Sequence, residues 1–85
     1  MASESEVDVV LHAQAVDLVG AREVRVPVIP DGTVGDVRRE LARRHPALSK
    51  LLRSAVLANE REYLKDAALV GEQRRLHLIP PVSGG

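Results

Sequence analysis

The chain has 85 residues, twelve basic against twelve acidic, with no cysteine, tryptophan or phenylalanine and a single tyrosine. A domain of this length buries only about 60% or slightly more of the surface its unfolded chain exposes, which leaves little depth for an enzymatic cleft. The missing cysteines exclude disulfides, thiolate metal sites and cysteine nucleophiles, the interspersed charge argues against a broad nucleic-acid footprint, and no stretch approaches the roughly 18 apolar residues needed to span a bilayer.

The apolar residues are aliphatic, with 13 Val and 11 Leu, and this β-branched bias favours strands over a purely helical bundle. Residues 1–6, Met1 to Glu6, are polar and acidic where a signal peptide would be basic and then apolar. They predict a disordered lead-in and a cytoplasmic protein. A first strand is expected from Val7 to Ala13, with Val7, Val9 and Leu11 on one face and Asp8, Val10 and His12 on the other. Residues 13–19 suit one or two helical turns closed by Gly20. A second strand follows from Glu23 to Val28, where Pro27 removes a ladder donor and points to a sheet edge.

Pro30-Asp31-Gly32 is turn chemistry, and Thr33 with Asp36 three residues on reads as the start of the main helix, running to His45. Val34, Val37 and Leu41 form its single apolar stripe. Arg38-Arg39 and Arg43-Arg44, interrupted by Glu40, read as its solvated side. Pro46 ends the helix at His45, whose imidazole is suited to a helix C-terminus. Leu48, Leu51 and Leu52 then predict a short helical turn, residues 55–59 a short strand, and residues 59–63 a polar turn. Residues 64–74 show no clear period. The last strand runs from Arg75 to Ile79, with Leu76 and Leu78 on one face and Arg75, His77 and Ile79 on the other.

This order predicts an α+β domain over residues 7–79, a small mixed sheet covered on one face by one main helix. Residues 80–85 then form a flexible tail. Pro80-Pro81 has no backbone donors and fixes an extended path that cannot continue the sheet. From Pro80 to Gly85 the chain can reach roughly 20 Å when extended. Gly84 and Gly85 lack side chains and can thread a narrow channel. The terminal carboxylate of Gly85 is an accessible nucleophile for ATP.

Two stretches carry a family resemblance: Ala13-Gln14 followed by Asp17-Leu18-Val19-Gly20, and the ending Leu78-Ile79-Pro80-Pro81-Val82-Ser83-Gly84-Gly85. On these, the chain resembles the MoaD-type ubiquitin-like sulfur carriers, the MoaD/ThiS family that includes the small subunit of molybdopterin synthase. The resemblance covers nearly the whole chain and implies the β-grasp fold. It also implies a mechanism in which an E1-like adenylating enzyme of MoeB/ThiF type uses ATP to adenylate the Gly85 carboxylate, and a sulfur donor converts the adenylate to a thiocarboxylate. The thiocarboxylate then gives its sulfur inside a second partner, such as the molybdopterin synthase large subunit, in molybdenum cofactor biosynthesis. On this reading Gly85 carries the sulfur, Gly84 permits entry, and Pro80, Pro81 and Val82 position the thread. The protein alone is no enzyme and binds no cofactor tightly. The turn Gly71-Glu72-Gln73-Arg74-Arg75 departs from the acidic turn usual in the family. Sulfur delivery to thiazole, cysteine or a secondary metabolite fits the same tail, and so does a ubiquitin-like modifier that joins lysines.

If the first and last strands are neighbours, as the β-grasp arrangement implies, His12 and His77 share the exposed face with Val10, Arg75 and Ile79 and form a partner-docking patch. Two histidines without a supporting carboxylate are a weak metal signal, so no metal site is expected. Tyr63 suits either a cap on the core or a partner contact. Lys50 and Lys65 carry no signal for conjugation.

Overall fold

A computed structural model describes residues 5–81 of the chain. Five strands, β1 (Ser5–Leu11), β2 (Glu23–Val28), β3 (Val56–Ala58), β4 (Tyr63–Leu64) and β5 (Arg75–Ile79), form one mixed sheet in the order β2-β1-β5-β3-β4. The β1–β5 pair is parallel and the other pairs are antiparallel. Helices α1 (Gln14–Val19), α2 (Val34–Arg44) and α3 (Ser49–Leu52), with a 3₁₀ turn at Pro46–Leu48, connect the strands.

Alternation in the strands fixes which face is buried. Val7, Val9 and Leu11, Val26 and Val28, Leu57, and Leu76 and Leu78 all point to one side, where they meet Val34, Val37 and Leu41 of α2. Ala15, Leu48, Leu52 and Val70 complete the same aliphatic cluster. Each fully buried Val or Leu contributes roughly 1.5–3 kcal/mol relative to exposure. The expected α+β, β-grasp layout, with one main helix on one face of a small mixed sheet, is the observed one.

Local chemistry sets the element ends. The Thr33 amide donates to Asp36 Oδ2 at 2.9 Å and the Asp36 amide donates to Thr33 Oγ1 at 3.2 Å, a complete capping box at the start of α2. Gly20 closes α1 at φ 81°, where a side chain would be strained. β2 lies at the sheet edge, as Pro27 requires.

Two expectations are corrected. β1 starts at Ser5, because Ser5 and Glu6 stay in register with Val28 and Pro27; residues 1–4 of the expected lead-in lie outside the described residues. Arg38 is not on a solvated face: its Nη1 donates to the Leu52 and Ala55 carbonyls at 2.6 and 2.8 Å, and its Nε donates to Asp66 at 3.1 Å. Arg39, Arg43 and Arg44 do face outward, pairing with Asp36 and Glu40. The segment without a period, 64–74, is held by the start of α2. The amides of Val34 and Gly35 donate to the Ala68 and Asp66 carbonyls, and the Val70 amide donates to the Gly32 carbonyl. Gly35 suits this close approach, since a Cβ would stand 3.2–3.3 Å from Asp66, a tight contact.

Candidate functional site: the open sheet face and the start of the arm

β5 is the middle strand of five, and it ends beside two chain segments. Leu78 pairs with Leu11 at the end of β1, and Ile79 pairs with Val56 at the start of β3. The next residue, Pro80, is buried, and Pro81 is exposed. Of the tail expected from Pro80, the first residue is packed into the body and the chain reaches the surface at Pro81. Val82, Gly84 and Gly85 lie outside the described residues.

Register places one residue from every strand in a line across the uncovered face: Glu23, Val10, His77, Ala58 and Tyr63. Opposed residues on paired strands point the same way. Toward the arm, Ile79 and Val56 form the next pair. Away from it, Arg25, Asp8 and Arg75 form a charged line, with Arg25 donating to Asp8 at 3.0 Å and Arg75 standing 3.8 Å from Glu23. The face is thus apolar beside the arm and internally ion-paired at its far end. Tyr63 is 71% exposed, which rules out the core-capping role.

His12 and His77 meet on this face, Nε2 to Nδ1 at 3.0 Å, and Glu60 from the β3–β4 turn accepts from His77 Nε2 at 2.7 Å. A hydrogen bond from His77 and its positive charge when protonated hold the Glu60 carboxyl below its ordinary range, and Arg75 adds a smaller pull. Asn59 fixes that turn by accepting from the Arg61 and Glu62 amides at 2.8 and 2.9 Å.

Immediately after His12, Ala13 has φ 52° and ψ −129°, and the Ala15 amide donates to the His12 carbonyl. Ala13 is therefore the first central residue of a type II′ turn, a position glycine fills without strain. Strain there costs on the order of 1–3 kcal/mol, partly offset by the entropy of a glycine. Ala13→Gly is expected to stabilise the fold by about 1 kcal/mol, read as a higher urea midpoint with an unchanged slope.

Val10, His12, Arg75, His77 and Ile79, singled out in the sequence, do come to one face. Arg75 belongs to its charged end, and Pro80 is withdrawn into the body. Sequence reasoning missed Val56, Ala58 and Glu60 and left Tyr63 between two roles. The parity of β3 and β4 against β5 places Val56, Ala58 and Tyr63, but that register comes only from the assembled sheet. Among the described residues no helix is long and apolar enough to cross a membrane.

Comparison with known proteins agrees with this architecture. A family model described as the ThiS family matches residues 9–85. The molybdopterin synthase sulfur carrier subunit of Arabidopsis thaliana is 34% identical over 83 residues, covering 98% of this chain and 86% of that protein. Small archaeal modifier protein 1 of Haloferax volcanii is 39% identical over 85 residues, covering 88% of this chain and 95% of that protein. A crystal structure of this modifier matches with a TM-score of 0.81 at 31% identity, over 95% of this chain and 100% of that one. The matched span, the relatives and the β-grasp topology together place the chain in the ThiS family, the ubiquitin-like sulfur carriers of ThiS and MoaD type.

Proposed function

We propose that this protein carries sulfur on the carboxylate of Gly85 as the small subunit of a molybdopterin synthase. The observation that carries the reading is the exit of the central strand. β5 hands the chain from buried Pro80 to exposed Pro81 at the rim of an apolar sheet face, in a sequence that closes on Val82-Ser83-Gly84-Gly85. Kinship with proteins named molybdopterin synthase sulfur carrier subunits supports it.

In the proposed cycle the Gly85 carboxylate attacks the α-phosphate of ATP within an E1-like adenylating enzyme and releases pyrophosphate. A carboxylate has no leaving group of its own, and the adenylate supplies one. A hydrosulfide equivalent from the sulfur donor attacks the acyl carbon; the C–S bond forms and AMP departs. The large synthase subunit then takes the arm into its site, with Gly84 giving the clearance to enter. ATP is consumed in the partner, and the carrier contributes a docking face and a thread.

The test is intact-mass analysis after incubation with ATP, the adenylating enzyme and a sulfur donor. The expected result is the mass gain of one oxygen-for-sulfur exchange, absent when Gly85 is deleted. Full-length protein with no such exchange would sink the proposal. The same spectrum tests whether Gly85 ends the mature chain.

The 39% identity to an archaeal modifier favours one second reading, in which Gly85 forms isopeptide bonds with lysine amines. It predicts higher-mass conjugates in cells that vanish on deletion of Gly85. Delivery to thiazole, cysteine or a secondary metabolite shares the activation chemistry, and the large partner that co-purifies distinguishes it.

A further inference from the structure

From the Glu60–His77–His12 chain we infer a binding site for a Zn²⁺-type divalent ion on the open sheet face, chelated by His12 Nε2 and His77 Nδ1. A carboxylate can only accept, so the 2.7 Å contact requires His77 Nε2 to carry a hydrogen and, in the neutral ring, leaves Nδ1 with its lone pair. This is the arrangement a metal-bound imidazole uses: one nitrogen donates to a carboxylate, which fixes ring orientation and raises the basicity of the other. His12 Nε2 lies 3.0 Å from that lone pair. Two imidazole nitrogens bonded at about 2.0–2.1 Å to one tetrahedral or tetragonal ion stand roughly 2.9–3.4 Å apart.

Ring centroids 5.2 Å apart, with planes 31° from parallel, show the imidazoles meeting nearly end to end, so each must tilt outward for its lone pair to converge on an ion. His12 is exposed and has room to do so, its alternative tautomer frees Nε2, and the exposed Glu60 side chain can follow His77 as it tilts. The ion takes the place of the proton now shared between the rings. Among the described residues no group of three ligating side chains is assembled, so water fills the remaining positions. Those water-filled positions are open to ligands from outside. The centre lies in line with Val10 and beside Ile79, on the face that borders the arm. The inference needs neither the arm nor Gly85 and stands apart from the sulfur reading.

The test is calorimetric titration of untagged full-length protein with Zn²⁺ alone, with the histidine rings followed by NMR in the same samples. One equivalent is expected, with the ring signals of His12 and His77 moving and those of His45 fixed. His12→Gln and His77→Gln should each weaken binding by at least about tenfold, and Glu60→Gln by about tenfold through lost orientation. His45→Gln should change nothing. Should a histidine variant fail to fold, the ring signals of the unaltered protein still decide the matter. Binding that survives loss of both His12 and His77, or ring signals that do not move, overturns the site. Unchanged affinity in Glu60→Gln overturns the role of the carboxylate.

Discussion

An Ile79→Glu variant is expected to keep its fold and to lose adenylation by the activating partner by about thirtyfold, a loss of roughly 2 kcal/mol. Ile79 is the last residue of β5, directly opposite Val56 and just before the buried Pro80. A partner that receives the arm must cover this rim, and a carboxylate trapped there without a partner charge loses its hydration uncompensated. The backbone of Ile79 stays in the ladder, so thermal unfolding should change little. Steady-state ATP–pyrophosphate exchange should show a raised KM for the carrier with kcat retained, the signature of lost docking. Arg75→Ala, at the ion-paired end of the same face, should stay within about threefold, as expected for a charge at the edge of an interface. Equal effects from the two variants would place the docking surface elsewhere.

Arg38→Met should cost about 2–3 kcal/mol of folding stability. The methionine keeps the aliphatic stem but removes the Nη1 group that donates to both the Leu52 and Ala55 carbonyls, and it releases Asp66, which the guanidinium contacts at 3.0 and 3.1 Å. These bonds tie α2 to the end of α3, to the approach to β3 and to the strap at residue 66. A loss of this size is a large part of the roughly 5–10 kcal/mol that a domain of this length holds in reserve. The comparison is Arg39→Ala, whose side chain is 74% exposed and paired at the surface with Asp36, and which should cost below about 1 kcal/mol. Urea unfolding of the two variants at one pH separates them. Similar midpoints would show that the carbonyls find other donors.

Features governed by neighbours a few residues away were legible in the sequence. The Thr33–Asp36 cap, the αL closure at Gly20, the proline that keeps β2 at an edge and the alternation of β5 all follow from local backbone chemistry. Long-range contacts were not. Helical spacing sets Arg38 beside the Val34–Val37–Leu41 stripe and Arg39 opposite it, but that the Leu52 and Ala55 carbonyls stand there to accept from Arg38 comes only from the packed fold. Residues 64–74 have no period because their order comes from amides of another element. Glu60 was invisible as a partner for His77, since 17 residues and a turn separate them in sequence. Pro80 looked like the first residue of a tail, because nothing in a Pro-Pro pair tells which ring is packed.

The middle position of β5 has a mechanical consequence. A partner that draws the arm into its channel pulls along the axis of a strand flanked on both sides, by β1 running parallel and β3 running antiparallel. The load falls on both ladders in shear, so their hydrogen bonds must give way together and cannot open one at a time as they would on a peeled edge strand. The body can therefore act as an anchor while its last residues are held under tension, and release of the spent carrier need not begin with its unravelling.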